Sequence, residues 1–159
     1  MSELNDGLDE FDGVQDAHIL ITDDDESYFD LVDTVLKNIG VPLTTEHAVD
    51  GNDLLDYLNA DGKYSAREKF PRPDLILLDL YMPNKDGLEV LQELQVSADF
   101  RDIPVIMLTK ETDEAMRKKA IDFGAKDCIS KPDSTKELKK VLKVLINHWI
   151  ESMTDFEDV

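Results

Sequence analysis

The sequence predicts an α/β fold, a doubly wound (βα)5 unit built on a parallel five-stranded sheet. Five short apolar runs of strand type alternate with five longer stretches of helical periodicity. Glycines close three of the helical stretches, at Gly40, Gly62 and Gly124. Since parallel strands joined through helices form right-handed crossovers, we expect helices on both faces of the sheet.

The elements follow one another in regular order. The predicted strands lie at residues 18–22, 43–47, 75–79, 104–108 and 127–130, and the second has the weakest pattern. The predicted helices lie at residues 25–39, 52–60, 86–96, 112–123 and 134–150. This alternation indicates one domain.

Charge divides the chain into three parts. The formal net charge is -19; residues 1–16 carry six acids and residues 151–159 carry four, with no Lys or Arg in either segment. We therefore predict an acidic, disordered N-terminal arm at 1–16, a folded domain at 17–150 and an acidic C-terminal tail at 151–159. The domain itself has 26 acids and 17 bases.

Composition also excludes several classes of function. An acidic domain repels phosphate backbones, which argues against nucleic-acid binding. No stretch approaches the roughly 20 apolar residues of a membrane helix. Cys128 is the single cysteine, so no intrachain disulfide can form. We expect a soluble, cytoplasmic protein with no membrane association.

Polar side chains follow four of the five predicted strands. Ligands of open α/β sheets bind outside the carboxyl ends of the strands. The residues at these ends are Asp23, Asp24 and Asp25 after the first strand, Asp79 after the third, Thr109 after the fourth and Lys131 after the fifth. Each alone is explained as a helix cap, a loop acid or a solvated charge, but their joint occurrence predicts one site.

This combination of groups suits phosphoryl transfer. Clustered carboxylates repel one another, and a hard divalent cation such as Mg²⁺ relieves that repulsion. Lys131 can face an incoming anion, and Thr109 can donate a hydrogen bond to it. An aspartate beside a metal and a lysine is a plausible nucleophile for in-line phosphoryl transfer.

At residues 17 to about 150 the chain resembles the receiver domain of two-component response regulators. The resemblance rests on the pair Asp23-Asp24, "LLDLYMPNKDG" around Asp79, "VIMLT" ending in Thr109 and "SKP" containing Lys131. Within that family, the stretches "GKYSAREKFPRPDLILLDLYMPNKDG" and "RDIPVIMLT" are similar to the single-domain regulators found with bacterial phytochromes. The expected strand order is the flavodoxin-like 2-1-3-4-5.

The resemblance implies a role for each residue. Asp79 accepts a phosphoryl group from a sensor histidine kinase, Lys131 pairs with that group, and Thr109 turns to hydrogen-bond it. Mg²⁺ is held by Asp23, Asp24, Asp79 and the backbone carbonyl of Tyr81. The Lys131–Pro132 peptide bond is expected to be cis. The protein is then a signalling module that catalyses only its own phosphorylation and dephosphorylation.

Four positions are notable against the family pattern: two depart from it, and two lie where the family varies. Receivers often carry Tyr or Phe where this chain has Cys128, which we interpret as a small core residue. Lys110 follows the threonine where a small residue is usual. Tyr81 and Glu111 occupy positions that tune hydrolysis of the acyl phosphate in the family.

Two other functions are weighed against this one. A Mg²⁺-dependent phosphatase of the haloacid dehalogenase type also uses an aspartate nucleophile, but it needs a second Asp where this chain has Tyr81. A flavodoxin-like nucleotide binder needs Gly, Ser and Thr after the first strand, where this chain has three acids.

The residue pattern of the last predicted helix indicates a partner surface. Its residues Val144, Ile146 and Ile150 exceed what is needed to cover the sheet, and ten of the 17 bases lie between Lys110 and Lys143. Receivers use the face formed by the fourth helix, fifth strand and fifth helix to dimerise or dock targets. We therefore expect a homodimer through this face, strengthened by phosphorylation.

Overall fold

The computed structural model describes residues 16–110 and 113–151, except for the side chain of Glu151. Apart from Asp16 and the backbone of Glu151, the two predicted acidic arms at 1–16 and 151–159 lie outside the described residues, as does Glu111. No helix in the described part of the chain is long and apolar enough to cross a membrane.

Five parallel strands form one sheet in the order β2-β1-β3-β4-β5, which confirms the predicted fold class. The strands are β1 (Ala17–Thr22), β2 (Leu43–Ala48), β3 (Leu75–Leu78), β4 (Val105–Thr109) and β5 (Asp127–Ser130). The helices are α1 (Glu26–Lys37), α2 (Gly51–Asn59), α3 (Gly87–Gln95), α4 (Glu114–Asp122) and α5 (Thr135–Ile146). The observed bounds differ from the predicted ones by at most a few residues.

Two hydrophobic clusters cover the two faces of the sheet. One contains buried side chains of α1 and α5, including Val32, Leu36 and Leu138. The other contains buried side chains of α2, α3 and α4, including Leu54 and Leu91. The central strands β3 and β4 between them are almost wholly apolar, as expected for strands buried on both faces.

Side-chain caps define where the helices begin. Asp25 precedes α1 and accepts hydrogen bonds from the backbone N–H groups of Ser27 and Tyr28. Asp86 and Glu89 form a reciprocal capping box at the start of α3. These caps place the first turns of α1 and α3 directly beside the carboxyl edge of the sheet, because both helices follow strands that end there.

The predicted partner surface on the last helix is wrong for two of its three apolar residues. Helix α5 ends at Ile146 and continues as a π turn over Asn147–Glu151. Ile146 and Ile150 are 1% and 2% exposed, since they follow Leu138 and Leu142 at four-residue steps and extend the same buried stripe. Only Val144 of the three extra apolar residues is exposed, at 66%. Trp149 packs against this apolar cluster.

Candidate phosphoacceptor and metal site

Strand register brings two aspartates together at the carboxyl edge of the sheet. Thr22 at the end of β1 pairs with Leu78 at the end of β3, so the next residues of the two strands, Asp23 and Asp79, are neighbours. The backbone N–H of Asp79 donates to the carbonyl of Thr22 at 2.9 Å. The predicted convergence of the first and third strand ends is therefore observed.

Three carboxylates form a cluster at this edge. One oxygen from each of Asp23, Asp24 and Asp79 lies within 4.8 Å of the other two. Asp23 and Asp79 are buried, whereas Asp24 is exposed. The Asp23 carboxylate accepts a hydrogen bond from the backbone N–H of Asp25, and the Asp23 carbonyl accepts one from His47 Nε2 at 2.7 Å. Both contacts fix the loop that follows β1.

Lys131 is the cation that meets this cluster. Its Nζ lies 2.7 Å from Asp23 Oδ2 and 3.4 Å from Asp79 Oδ2, and its side chain is only 9% exposed. The backbone N–H of Lys131 donates to the carbonyl of Thr109 at 2.6 Å, which ties the ends of β4 and β5 together. One ammonium thus serves two buried carboxylates, and neither has its charge fully compensated.

The Lys131–Pro132 bond is trans, so the prediction of a cis bond is wrong. The physical reason is the intrinsic preference of an X–Pro bond, which favours trans by about 0.5–1 kcal/mol.

Burial raises the pKa of the Asp79 carboxyl above its usual range, and the negative charge of Asp23 raises it further. The Lys131 ammonium and the backbone N–H of Tyr81 oppose this rise without cancelling it. Ionisation of the Asp79 carboxyl therefore costs more free energy in the metal-free protein than it does in water. Added positive charge near the carboxylate would lower that cost.

Thr109 is the last residue of β4 and is fully buried. Its hydroxyl has no hydrogen-bond partner among the described residues. Because a buried hydroxyl without a partner is unfavourable, a hydrogen-bond acceptor placed near it would be stabilised. Among the predicted site residues that the structure describes, Thr109 alone has a buried side-chain polar atom without a hydrogen-bond partner.

Cys128 lies in β5 beside Met107 of β4, in the cluster covered by α2, α3 and α4. It is 2% exposed, which confirms the interpretation of this residue as a small core side chain.

Tyr81 and Lys110 line the open cavity next to the carboxylates, together with Asp25 and Lys131. Tyr81 is 59% exposed, and its backbone N–H approaches Asp79 Oδ1 at 3.4 Å. Lys110 is exposed as well, so a second cation borders the cavity that leads to Asp79.

Two residues of the site were missed by the sequence analysis. Tyr28, in the first turn of α1, lies with its ring centroid 4.3 Å from Lys131 Nζ. Gly87, at the start of α3, lies so close to Asp79 and Leu80 that a Cβ atom there would collide with their backbones. The sequence did carry a signal for Tyr28. An N-cap at Asp25 places Tyr28 in the first turn of α1, next to the strand ends. Gly87 gave no comparable signal.

The donor set fits a divalent metal ion. Oxygen ligands from two buried carboxylates and one exposed carboxylate, at the wall of an open cavity, are the kind of site that hard cations occupy while keeping several waters.

The fold and this site identify the class of protein. The chain belongs to the response regulator receiver domain family, whose pattern matches residues 19–143. Response regulator Rcp1 of Synechocystis sp. is 33% identical over 136 residues, which span 86% of this chain and 90% of that protein.

Two crystal structures extend the comparison. The phosphorylated cyanobacterial phytochrome response regulator RcpA matches with a TM-score of 0.77 and 29% identity, over 87% of this chain and 96% of RcpA. The Mn(2+)-bound form of Rcp1 matches with a TM-score of 0.73 and 32% identity, over 85% of this chain and 95% of that chain. The predicted relation to phytochrome-associated response regulators is confirmed, and the phosphatase alternative finds no support.

Proposed function

We propose that residues 17–150 form a receiver domain in which Asp79 accepts a phosphoryl group from a sensor histidine kinase. The observation that carries this proposal is the meeting of Asp79, Asp23 and Lys131 in one buried cluster that opens to a cavity. The relative RcpA is a phytochrome response regulator, which supports a phytochrome-type kinase as the phosphodonor. The signal then passes to other proteins by contact.

The chemistry assigns one task to each side chain. An oxygen of Asp79 forms a bond to phosphorus while the bond from phosphorus to the kinase histidine breaks. Lys131 leaves its shared contact and pairs with the new phosphoryl oxygens, and the Thr109 hydroxyl donates to one of them.

Mg²⁺ is the proposed cofactor, held by Asp23, Asp24, Asp79 and the carbonyl of Tyr81. A bound divalent cation supplies the positive charge that offsets repulsion between these carboxylates and the incoming phosphate. The Mn(2+)-bound structure of Rcp1 supports a divalent cation at this kind of site.

Acetyl phosphate with Mg²⁺ should phosphorylate the wild-type protein once, because Asp79 is the acceptor. Asp79→Asn keeps the shape of the side chain without its nucleophile and should remain unmodified, as should wild type in excess chelator. Intact-mass spectrometry measures the product. Equal modification of the Asp79→Asn protein, or of wild type in chelator, would remove the basis for the proposal.

Thr109→Val should separate phosphorylation from the response to it. The substitution removes a buried hydroxyl that lacks a partner, so stability should stay the same or rise by up to about 1 kcal/mol. Phosphorylation should persist, while the chemical-shift changes that follow beryllofluoride addition should shrink. Thr22→Val is the matched control, because the Thr22 hydroxyl is also buried without a partner. Identical shift changes in Thr109→Val and wild type would contradict the role of Thr109.

The homodimer through α4, β5 and α5 remains part of this proposal, with Val144 as its apolar contact. Val144 and Ile121 are exposed on α5 and α4, and the exposed lysines of α5 give the face a positive charge. Phosphorylation should strengthen the dimer.

Val144→Glu should weaken that dimer without unfolding the domain, unlike charges at the buried Ile146 or Ile150. Val96→Glu, at an even more exposed valine after α3, is the matched control. Sedimentation velocity at several concentrations, with and without beryllofluoride, measures association. A monomer under every condition would refute the dimer.

A further inference from the structure

We propose that Tyr28 is a positioning residue whose aromatic face holds the Lys131 ammonium beside Asp79. Lys131 Nζ lies 4.3 Å from the centroid of the Tyr28 ring, well within the range of a cation–π contact. The Lys131 side chain is almost fully buried, and such contacts strengthen when the cation is removed from water. This inference rests on the proposed function of Asp79 and assigns that site a further residue.

The contact with Tyr28 matters because the other two partners of Lys131, the carboxylates of Asp23 and Asp79, are also proposed metal ligands. Its ammonium contacts the carboxylates of Asp23 and Asp79, and the proposed metal ion would bind the same two carboxylates. The ring of Tyr28 has no lone pair that a metal ion would take. It can therefore hold the ammonium in place while the carboxylate contacts change.

The position of Tyr28 is set by α1. Its backbone N–H donates to the side chain of Asp25 at 3.2 Å and to the Asp25 carbonyl at 3.1 Å, so the cap of the helix fixes the residue. Its ring packs against the apolar cluster of α1 and α5.

The Tyr28 hydroxyl does not explain why the ring lies at this position. It is buried without a hydrogen-bond partner among the described residues. Tyr28 also lines a small cavity together with Thr22, Asp23, Asp79 and Leu108. The ring face contacts Lys131, whereas the hydroxyl forms no hydrogen bond with any described residue of the site. Phenylalanine should replace this tyrosine without loss, whereas an aliphatic side chain should not.

The test compares Tyr28→Phe, Tyr28→Leu and Tyr28→Met in the full chain. Tyr28→Leu and Tyr28→Met should raise the dissociation constant for beryllofluoride, measured with Mg²⁺ present, by roughly three- to thirtyfold. Tyr28→Phe should stay within about twofold of wild type, because the ring remains.

Phe123→Leu is the matched control. It removes a partly buried ring that also lies under a lysine, Lys119, but it sits at the amino end of β5, away from the site. Its affinity for beryllofluoride should equal that of wild type.

A second readout needs neither metal nor phosphoryl group. In the metal-free protein the ε-methylene protons of Lys131 should show an upfield ring-current shift in wild type and Tyr28→Phe. That shift should be lost in Tyr28→Leu and Tyr28→Met. Two aliphatic variants are used so that one still tests the contact if the other does not fold.

Retention of the shift in the aliphatic variants, or beryllofluoride affinities equal to wild type in both, would overturn the positioning role. Failure of the proposed function looks different. In that case wild type itself would not bind beryllofluoride. The ring-current comparison would still measure whether Lys131 lies against the Tyr28 ring.

Discussion

Lys131→Ala is expected to destabilise the metal-free protein by about 3–5 kcal/mol, because it leaves the buried carboxylates of Asp23 and Asp79 without their shared cation. Mg²⁺ should restore much of this loss, since the metal ion supplies positive charge to the same oxygens. Urea unfolding in chelator and in excess Mg²⁺ measures both effects. The stabilisation by Mg²⁺ should be larger in the variant than in wild type.

The loss should also depend on pH. Burial and mutual repulsion raise the pKa of Asp79, and removal of the ammonium raises it further, so acid protonates the carboxyl more readily in the variant. The difference in stability between wild type and variant should therefore be largest near neutral pH and shrink as the pH falls.

Lys143→Ala is the control for the loss of a lysine. Lys143 is exposed on α5 and does not line the cavity at the carboxylates. It should change the free energy of unfolding by no more than about 0.5 kcal/mol. A Lys131→Ala protein as stable as wild type in chelator would show that the buried ion pair does not hold the site together.

Gly87→Ala is expected to be the most damaging small substitution near the site. A Cβ at this position would lie 2.9 Å from Leu80 Cα and 2.8 Å from Met107 Cε, and closer still to the Asp79 carbonyl. The Gly87 N–H donates to the Leu80 carbonyl at 2.8 Å, so α3 cannot retreat without losing that bond. Stability should fall by about 1–3 kcal/mol or more, and affinity for Mg²⁺ should fall with it as Asp79 shifts.

Gly62→Ala separates these two effects. Gly62 has a positive φ of 59° but open space around its Cβ position, so alanine there costs only about 1–2 kcal/mol of backbone strain. Mg²⁺ affinity should be unchanged in this variant. Isothermal titration of both variants makes the comparison, and unchanged Mg²⁺ affinity in Gly87→Ala would show that the contact with Asp79 does not position the carboxylate.

The regular parts of the fold were predictable because their causes are local. Alternating apolar runs and helix caps located every strand and helix, and the strand-end rule placed Asp23, Asp79 and Lys131 together. Thr109 proved to be the last residue of β4 rather than the first beyond it, a shift of one residue that strand ends commonly show.

Features that depend on close approach in space were not predictable. The ring of Tyr28 meets Lys131 across 103 positions of sequence, and Gly87 is required by the backbone of another segment. Ile146 and Ile150 were misassigned to a partner surface, although they lie four and eight residues beyond Leu142 on the same buried helical stripe. The Lys131–Pro132 dipeptide alone does not specify the isomer of its peptide bond, because trans is favoured by only about 0.5–1 kcal/mol.

The most direct test of the central claim locates the phosphoryl group itself. Wild-type protein is treated with acetyl phosphate and Mg²⁺ and then with borohydride, which reduces an aspartyl phosphate to homoserine. Tandem mass spectrometry of the peptides should show homoserine at position 79 and unmodified aspartate at Asp23 and Asp24. Homoserine at another aspartate, with Asp79 intact, would contradict the assignment of Asp79 as the phosphoacceptor.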